Sequence, residues 1–154
     1  MAISQFAALT DSVLAILRAD THLSNVTISD GLPITEDRLV DLIVIGNSGS
    51  PEDTRAGSIR QQWHDLAGIN STRDETCEIF CCLISQTGDV DVSATRTRAF
   101  EILGYISDAL RATLNGGIAN CFGIDLTDVE VNVDQFADGT SIRLPFTITA
   151  NTLI

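Results

Sequence analysis

The segment VEVNVDQFADGTSIRLPFTITAN, Val129 to Asn151, constrains the fold more than any other stretch. Val129, Val131 and Val133 alternate with Glu130, Asn132 and Asp134. After Asp138-Gly139, Ile142, Leu144, Phe146 and Ile148 alternate with Arg143, Pro145, Thr147 and Thr149. A period of two sorts the residues of a strand onto two faces, and Asp-Gly is a strong turn signal. The pattern therefore predicts a C-terminal β-hairpin with one apolar and one wet face. With Val129, Val131 and Val133 toward the core, Asp128, Glu130 and Asp134 share the outward face. Nothing in the segment suggests catalysis, so its wet face either ends at solvent or meets a partner.

The remaining elements follow from similar signals. Ile3, Phe6, Ala7, Val13, Leu14 and Leu17 fall at helical spacing and predict a first helix over residues 4–19. NVTISDGLP predicts a short strand closed by Asp30-Gly31 and Pro33. DRLVDLIVIGN predicts a second, densest at Leu42–Ile45 and ended by Gly46; such a continuous apolar run suits a strand covered on both faces. Residues 46–62 read as a long polar loop or an extended arm, and QQWHDLAG holds a short strand with Trp63. ETCEIFCCLIS is a strand ended by Gly88-Asp89. Asp91 or Ser93 caps a second helix to about Leu114, with Ala99, Ile102, Leu103, Ile106, Leu110 and Leu114 as its buried stripe and Asn115-Gly116-Gly117 as its stop. IANCFGIDLTD reads as an irregular connection. In order this is helix, strands, helix, strands. It predicts an α+β fold: a mixed, mostly antiparallel sheet flanked by two main helices, ending in the hairpin, as one domain over 1–154.

Charge narrows the possible partners. The chain carries 9 basic and 21 acidic residues, a net −12 at pH 7. A surface this acidic repels phosphate and disfavours binding to the outside of DNA. Acid concentrates in two stretches. Asp20, Asp30, Glu36, Asp37, Asp41, Glu52 and Asp53 stand against Arg38 alone, and Asp125, Asp128, Glu130, Asp134 and Asp138 against Arg143 alone. Every basic residue is arginine, so no mechanism that needs a lysine is available. The longest apolar runs fall short of a membrane span, and the N-terminus reads as an amphipathic helix and not a signal peptide, so the acceptor patterns at Asn25 and Asn70 carry no weight.

Candidate chemistry mostly fails on spacing. Cys77, Cys81, Cys82 and Cys121 lack the paired spacing of a zinc framework, and no histidine pair completes one. Cys77 and Cys81 share a strand face with Ile79 and Leu83, while Cys82 points the other way. They read as buried, reduced thiols. GNSGS at 46–50 puts Ser50 where a nucleophile elbow needs its last glycine, and Pro51 and Gly57 argue against a following helix. Nothing in the sequence orients His22 or His64 as a base. SPEDT and LTDVEVNVD lack calcium-loop spacing. The expectation is no catalytic residue, no metal and no cofactor.

The chain as a whole resembles the tail terminator, or tail completion, proteins of long-tailed bacteriophages. The resemblance rests on the N-terminal helix, the short strand into Asp30-Gly31 and Pro33, the apolar strand ending at Gly46, Trp63 followed by Glu75 and a strand, the Arg-bearing helix TRTRAFEILGYISDALRATL, and the closing hairpin. It implies a homohexameric ring at the head-proximal end of the tail tube, in a virion assembled in the host cytoplasm. Such a ring ends tube polymerisation, contacts the tail tube protein and joins the tail to a head–tail connector or neck protein. Ser48, Glu52, Asp53, Arg55, Arg60 and Trp63 are then candidates for the subunit interface. Asp125, Asp128, Glu130 and Asp134 are candidates for a lumen through which DNA passes without specific binding. A related tube or neck protein, a small enzyme, or an acidic adaptor for a basic protein are the alternatives.

Overall fold

The computed structural model describes residues 3–34, 41–63, 72–88, 90–113, 117 and 120–154. Its elements are helix α1 (Phe6–Ala19), strands β1 (Thr27–Asp30), β2 (Asp41–Ile45), β3 (Gly57–Trp63) and β4 (Arg73–Thr87), helix α2 (Val92–Ala112), and strands β5 (Cys121–Val129), β6 (Asn132–Phe136) and β7 (Gly139–Leu153). They form an α+β fold with one 7-stranded mixed sheet in the order β1-β2-β4-β7-β5. β3 extends the line of β2 along one edge of β4, and β6 extends the line of β5 along one edge of β7. Only the β1–β2 pair is parallel.

The two long strands carry the architecture. Cys77, Ile79, Cys81 and Leu83 of β4 share a face with Ile142, Leu144, Phe146, Ile148 and Ala150 of β7, and all are buried. Both helices pack on this face. α1 contributes Leu9, Val13, Leu14 and Leu17, and α2 contributes Ala99, Ile102, Leu103, Ile106, Ala109 and Leu110. The other face carries a small cluster, Leu42, Val44 and Cys82, at its β2 end. This accounts for the apolar run in β2, whose five residues are all buried. Asp91 caps α2 by accepting hydrogen bonds from the Ser93 and Ala94 amides. α1 has no side-chain cap at Gln5; the Glu75 carboxylate of β4 accepts from the Gln5 amide at 2.8 Å instead. An ion pair with a buried carboxylate and a half-exposed guanidinium ties α2 to the sheet: Asp41 accepts from Arg98 Nη2 at 2.6 Å and from Ser85 at 2.8 Å.

Several sequence expectations need correction. The α1 stripe runs through Leu9 in place of Ala7, and Ile3 is 80% exposed, because the helix begins only at Phe6. The polar stretch 46–62 is not one loop: its second part is β3, an edge strand whose mixed Ser-Arg-Gln composition hides the pattern. The irregular connection is largely β5, disguised by register shifts between Cys121 and Gly123 and between Thr127 and Val129. The regular strand expected at 129–133 is instead the β5–β6 junction. Val129, Val131 and Val133 lie on the helix-side phase, beside Phe146, Leu144 and Ile142, yet are 37%, 50% and 40% exposed. The hairpin turn is Ala137-Asp138, one residue early; Gly139 already pairs with Phe136. A Cβ on Gly139 would stand 2.1 Å from the Thr87 carbonyl oxygen, so close backbone approach explains this glycine. The expected features at His64, Asn70, Asp89, Leu114, Asn115 and Gly116 lie outside the described residues.

Candidate functional site

The face without helices is the distinctive surface. Along β4, β7 and β5 it presents Thr76, Thr127, Thr147, Thr149 and Asn151. Thr76 donates to Asn151 Oδ1 at 3.1 Å, and the Thr127 and Thr149 hydroxyls lie 2.8 Å apart. Much of this polarity is therefore satisfied within the sheet.

At the centre of that face lies a cleft of about 640 Å³, floored by Phe80, Pro145 and Thr147. One wall is the loop between β2 and β3. Here Asn47 Oδ1 accepts from the Gly49 amide at 2.8 Å and Asn47 Nδ2 donates to the Asp53 carbonyl at 3.0 Å. Asp53 accepts from Ser48 at 3.2 Å, from the Arg55 amide at 3.1 Å and from the Arg55 guanidinium at 3.1 and 3.2 Å. These bonds, led by the Arg55 guanidinium, hold the Asp53 carboxyl down at about 2. The Arg55 guanidinium lies 5.5 Å from the centre of the Phe80 ring. Gly49 adopts φ +81° and approaches so closely that a Cβ there would lie 2.6 Å from Cys82 Sγ.

The opposite wall is Asp128, Val129 and Glu130. Asp128 has φ 38° and sits in the register shift between Thr127 and Val129. One extra residue in an edge strand is a β-bulge, which turns the chain and re-aims a side chain. The bulge also changes the phase of burial: Ile124 and Leu126 face the helices before it, and Val129, Val131 and Val133 after it. Glu130 and Asp134 consequently share the open face, opposite Pro145 and Ser141.

Residues that the sequence reading assigned to two separate roles thus meet. Ser48, Asp53 and Arg55 from one group line the cleft with Asp128 and Glu130 from the other. Glu52 is exposed in the loop and is not part of the lining. Arg60 and Trp63 lie on β3, and the Arg73 guanidinium covers the Trp63 ring at 4.9 Å. Asp125 is bound to α2 through Arg111 at 3.1 Å and Ser107 at 3.4 Å. Burial alone would raise the Asp125 carboxyl, but the Leu126 amide and Arg111 outweigh it and hold it below its ordinary value. Asp134 stands exposed on β6. Arg143, Phe80 and Pro145 were missed as lining residues; the signal for Arg143 was its place as the one charge on the wet phase of β7.

The arrangement offers little to a chemical mechanism. Burial pushes the Cys77, Cys81 and Cys82 thiols up to about 12, with Glu75 adding to the effect at Cys77. Such thiols stay protonated at neutral pH and are poor nucleophiles. His22, contrary to expectation, is oriented: its Nδ1 lies 3.3 Å from Asp20, and its ring stacks on Tyr105 at 4.7 Å. Among the described residues no group of three His, Cys, Asp or Glu side chains converges as a metal site, and no helix is long and apolar enough to cross a membrane.

No protein-family model matches the chain, and neither does any curated protein sequence. Among solved structures, a chain from the virion of a native gene transfer agent (GTA) particle has the same fold. The TM-score is 0.65 at 16% sequence identity, over 99% of this chain and 100% of that one.

Proposed function

We propose that this protein is a structural component of a phage-type virion and, within that class, a tail terminator. Its task is to close into a hexameric ring at the head-proximal end of the tail tube, stop tube polymerisation and receive the head–tail connector or neck protein. The observation that carries this reading is the end-to-end likeness of fold to a chain of a gene transfer agent virion, over 99% of this chain and 100% of that one. The loose family resemblance of the sequence points the same way. In this reading the protein has no active site and needs no cofactor.

The open sheet face is the natural wall of the channel. It is threonine-rich and largely self-satisfied, and its Arg55, Arg60 and Arg143 stand among Asp53, Glu78, Asp128, Glu130 and Asp134, so acid outnumbers base and a passing polyanion meets net repulsion. DNA then moves past without specific binding. The loop and β3 residues Ser48, Glu52, Asp53, Arg55, Arg60 and Trp63 serve contacts with neighbouring subunits. Asp125, held by α2, belongs to the scaffold of that wall and not to its free charge.

Electron microscopy of the protein mixed with isolated tail tubes tests the proposal. A six-fold ring at one tube end, each subunit of 16.5 kDa, is the expected image. Incorporation along the tube would favour a tube protein, and binding to a soluble basic protein with no affinity for tubes would favour the acidic adaptor.

A further inference from the structure

Three strand segments stand at the margins of the sheet among the described residues: β1, paired with β2 alone, β3, paired with β4 alone, and the line of β5 and β6, paired with β7 alone; the last two are of opposite character. Beyond β4 the lower edge is β3, with no strand on its outer side among the described residues. Beyond β7 the edge is the continuous line of β5 and β6. Unpaired edges are ready-made templates for another strand.

Register shows what each edge presents. β3 places Ile59 and Trp63 on the helix side, beside Cys77 and Arg73, and each is 48% exposed. It places Ser58, Arg60 and Gln62 on the open side. The β5–β6 line places half-exposed Val129, Val131 and Val133 on the helix side and Glu130, Asn132 and Asp134 on the open side. The side chains of Arg60, Glu130 and Asp134 form no ion pair among the described residues. Each edge is thus incomplete on both faces, and what one lacks the other has: apolar against apolar on the helix side, base against acid on the open side.

Strand direction agrees. β3 and β7 both run antiparallel to β4, and β5 and β6 run antiparallel to β7. A second copy set alongside with its helices on the same side therefore brings its β3 antiparallel to the β5–β6 line. Across β4 and β7 Arg60 is level with Gly123, so the copy must also slide eight residues along the strands (Asn151 to Arg143 of β7) to set Arg60 opposite Asn132, between Glu130 and Asp134. Self-pairing of either edge about a two-fold axis is disfavoured. It would set Arg60 beside Arg60, or Glu130 and Asp134 beside their own copies, and like charges across strands repel.

We propose that the ring seam is a β-sheet junction in which β3 of one subunit pairs with β5–β6 of the next, Arg60 facing Glu130 and Asp134. This rests on the ring reading above and assigns its contact. Two different edges make a heterologous interface, which continues from copy to copy until rotation closes it. The acidic edge thereby acts as both channel wall and seam.

A charge-reversal cycle tests the seam: R60E, the pair E130R/D134R, and all three together, followed by sedimentation velocity and light scattering over a concentration series. Circular dichroism confirms that each variant is folded. Wild type is expected to reach six times 16.5 kDa. R60E or E130R/D134R should weaken association on the order of tenfold or more, because close charge pairs across an interface couple strongly. The combined variant should recover it. A wild-type ring that R60E leaves unchanged, or a combined variant that recovers nothing, overturns the seam and leaves the ring standing. A wild type that remains monomeric at every soluble concentration overturns both.

Discussion

Replacing Glu75 with glutamine changes one atom type and should destabilise the protein out of proportion to that change. Glu75 is 1% exposed. Its Oε1 accepts from the Gln5 amide at 2.8 Å, Cys77 Sγ at 3.2 Å and Thr152 Oγ1 at 3.3 Å, and its Oε2 accepts from Gln61 Nε2 at 2.7 Å. Each of these neighbours donates to the carboxylate. The polarity cannot be reversed locally, because Gln61 Oε1 accepts from Arg73 Nη1 at 3.0 Å and a guanidinium has nothing but donors. Arg73 thus fixes the Gln61 amide, and the Gln61 amide requires an acceptor at Glu75. A glutamine there must point its NH2 at one of these donors. One charge-assisted hydrogen bond is lost and a buried donor is left facing a donor, for a cost of about 2–3 kcal/mol.

Urea unfolding at neutral pH with an unchanged m-value measures this directly. A loss under about 0.5 kcal/mol, the level of an ordinary surface substitution, would refute the reasoning. The pH dependence supplies a second check. Burial by itself would raise the Glu75 carboxyl, but hydrogen bonds from Gln61, the Gln5 amide, Ser4 and Cys77 outweigh it and leave the value lowered. A carboxyl lowered in the folded state stabilises above its unfolded value and ceases to do so as pH falls through the folded one. The gap between wild type and E75Q should therefore be full at neutral pH and narrow only in acid, below the ordinary glutamate value of 4.5.

Other substitutions separate fold from function. Removing Arg98 should cost about 3 kcal/mol, because it leaves Asp41, 5% exposed, with Ser85 as its remaining side-chain partner; removing Asp41 should cost less, since half-exposed Arg98 can turn to water, and equal losses in urea unfolding would contradict this. Gly49→Ala should destabilise by about 1 kcal/mol or more through its positive φ and the clash with Cys82, read as a lower urea midpoint. A thiol reagent should modify none of Cys77, Cys81 and Cys82 in the native protein and all of them in denaturant; rapid native labelling would show that burial does not protect them.

The fold was legible where one face of an element is buried and the other wet. β7 and α2 announced themselves because Ile142 to Ile148 and Ala99 to Leu110 keep one period without interruption. β3 was legible only at its Trp63 end; the rest was hidden, since its side chains are largely exposed and its partner is a single strand, so neither face imposes a pattern. The Ser48, Asp53 and Arg55 cluster was visible only as a polar stretch. Its shape comes from Asn47 and Asp53 closing on one another and from Gly49 seating on Cys82, contacts that composition cannot encode. That this loop faces Asp128 and Glu130 is a matter of sheet order, which brings residues some eighty positions apart to one cleft.

The β-bulge at Asp128 was present in the sequence as a change of parity. Ile124 and Leu126 are apolar at even positions, and Val129, Val131 and Val133 at odd ones. A strand that keeps one face buried can change parity only by inserting a residue, so the shift itself locates the bulge between Leu126 and Val129. Were Asp128 paired in register and not bulged out, Glu130 and Asp134 would point toward the helix side and the valines toward the open face. The bulging of this residue thus decides which face is acidic, and with it whether the edge can meet Arg60 of another copy. Deleting Asp128 removes the extra residue itself, so Thr127 stays opposite Thr147, Val129 stays opposite Phe146, and Glu130 and Asp134 keep the open face. The deletion variant, if folded by circular dichroism, should therefore still form rings in light scattering. Loss of rings in a folded deletion variant would show that Asp128 itself, and not the sidedness of this edge, is what assembly needs.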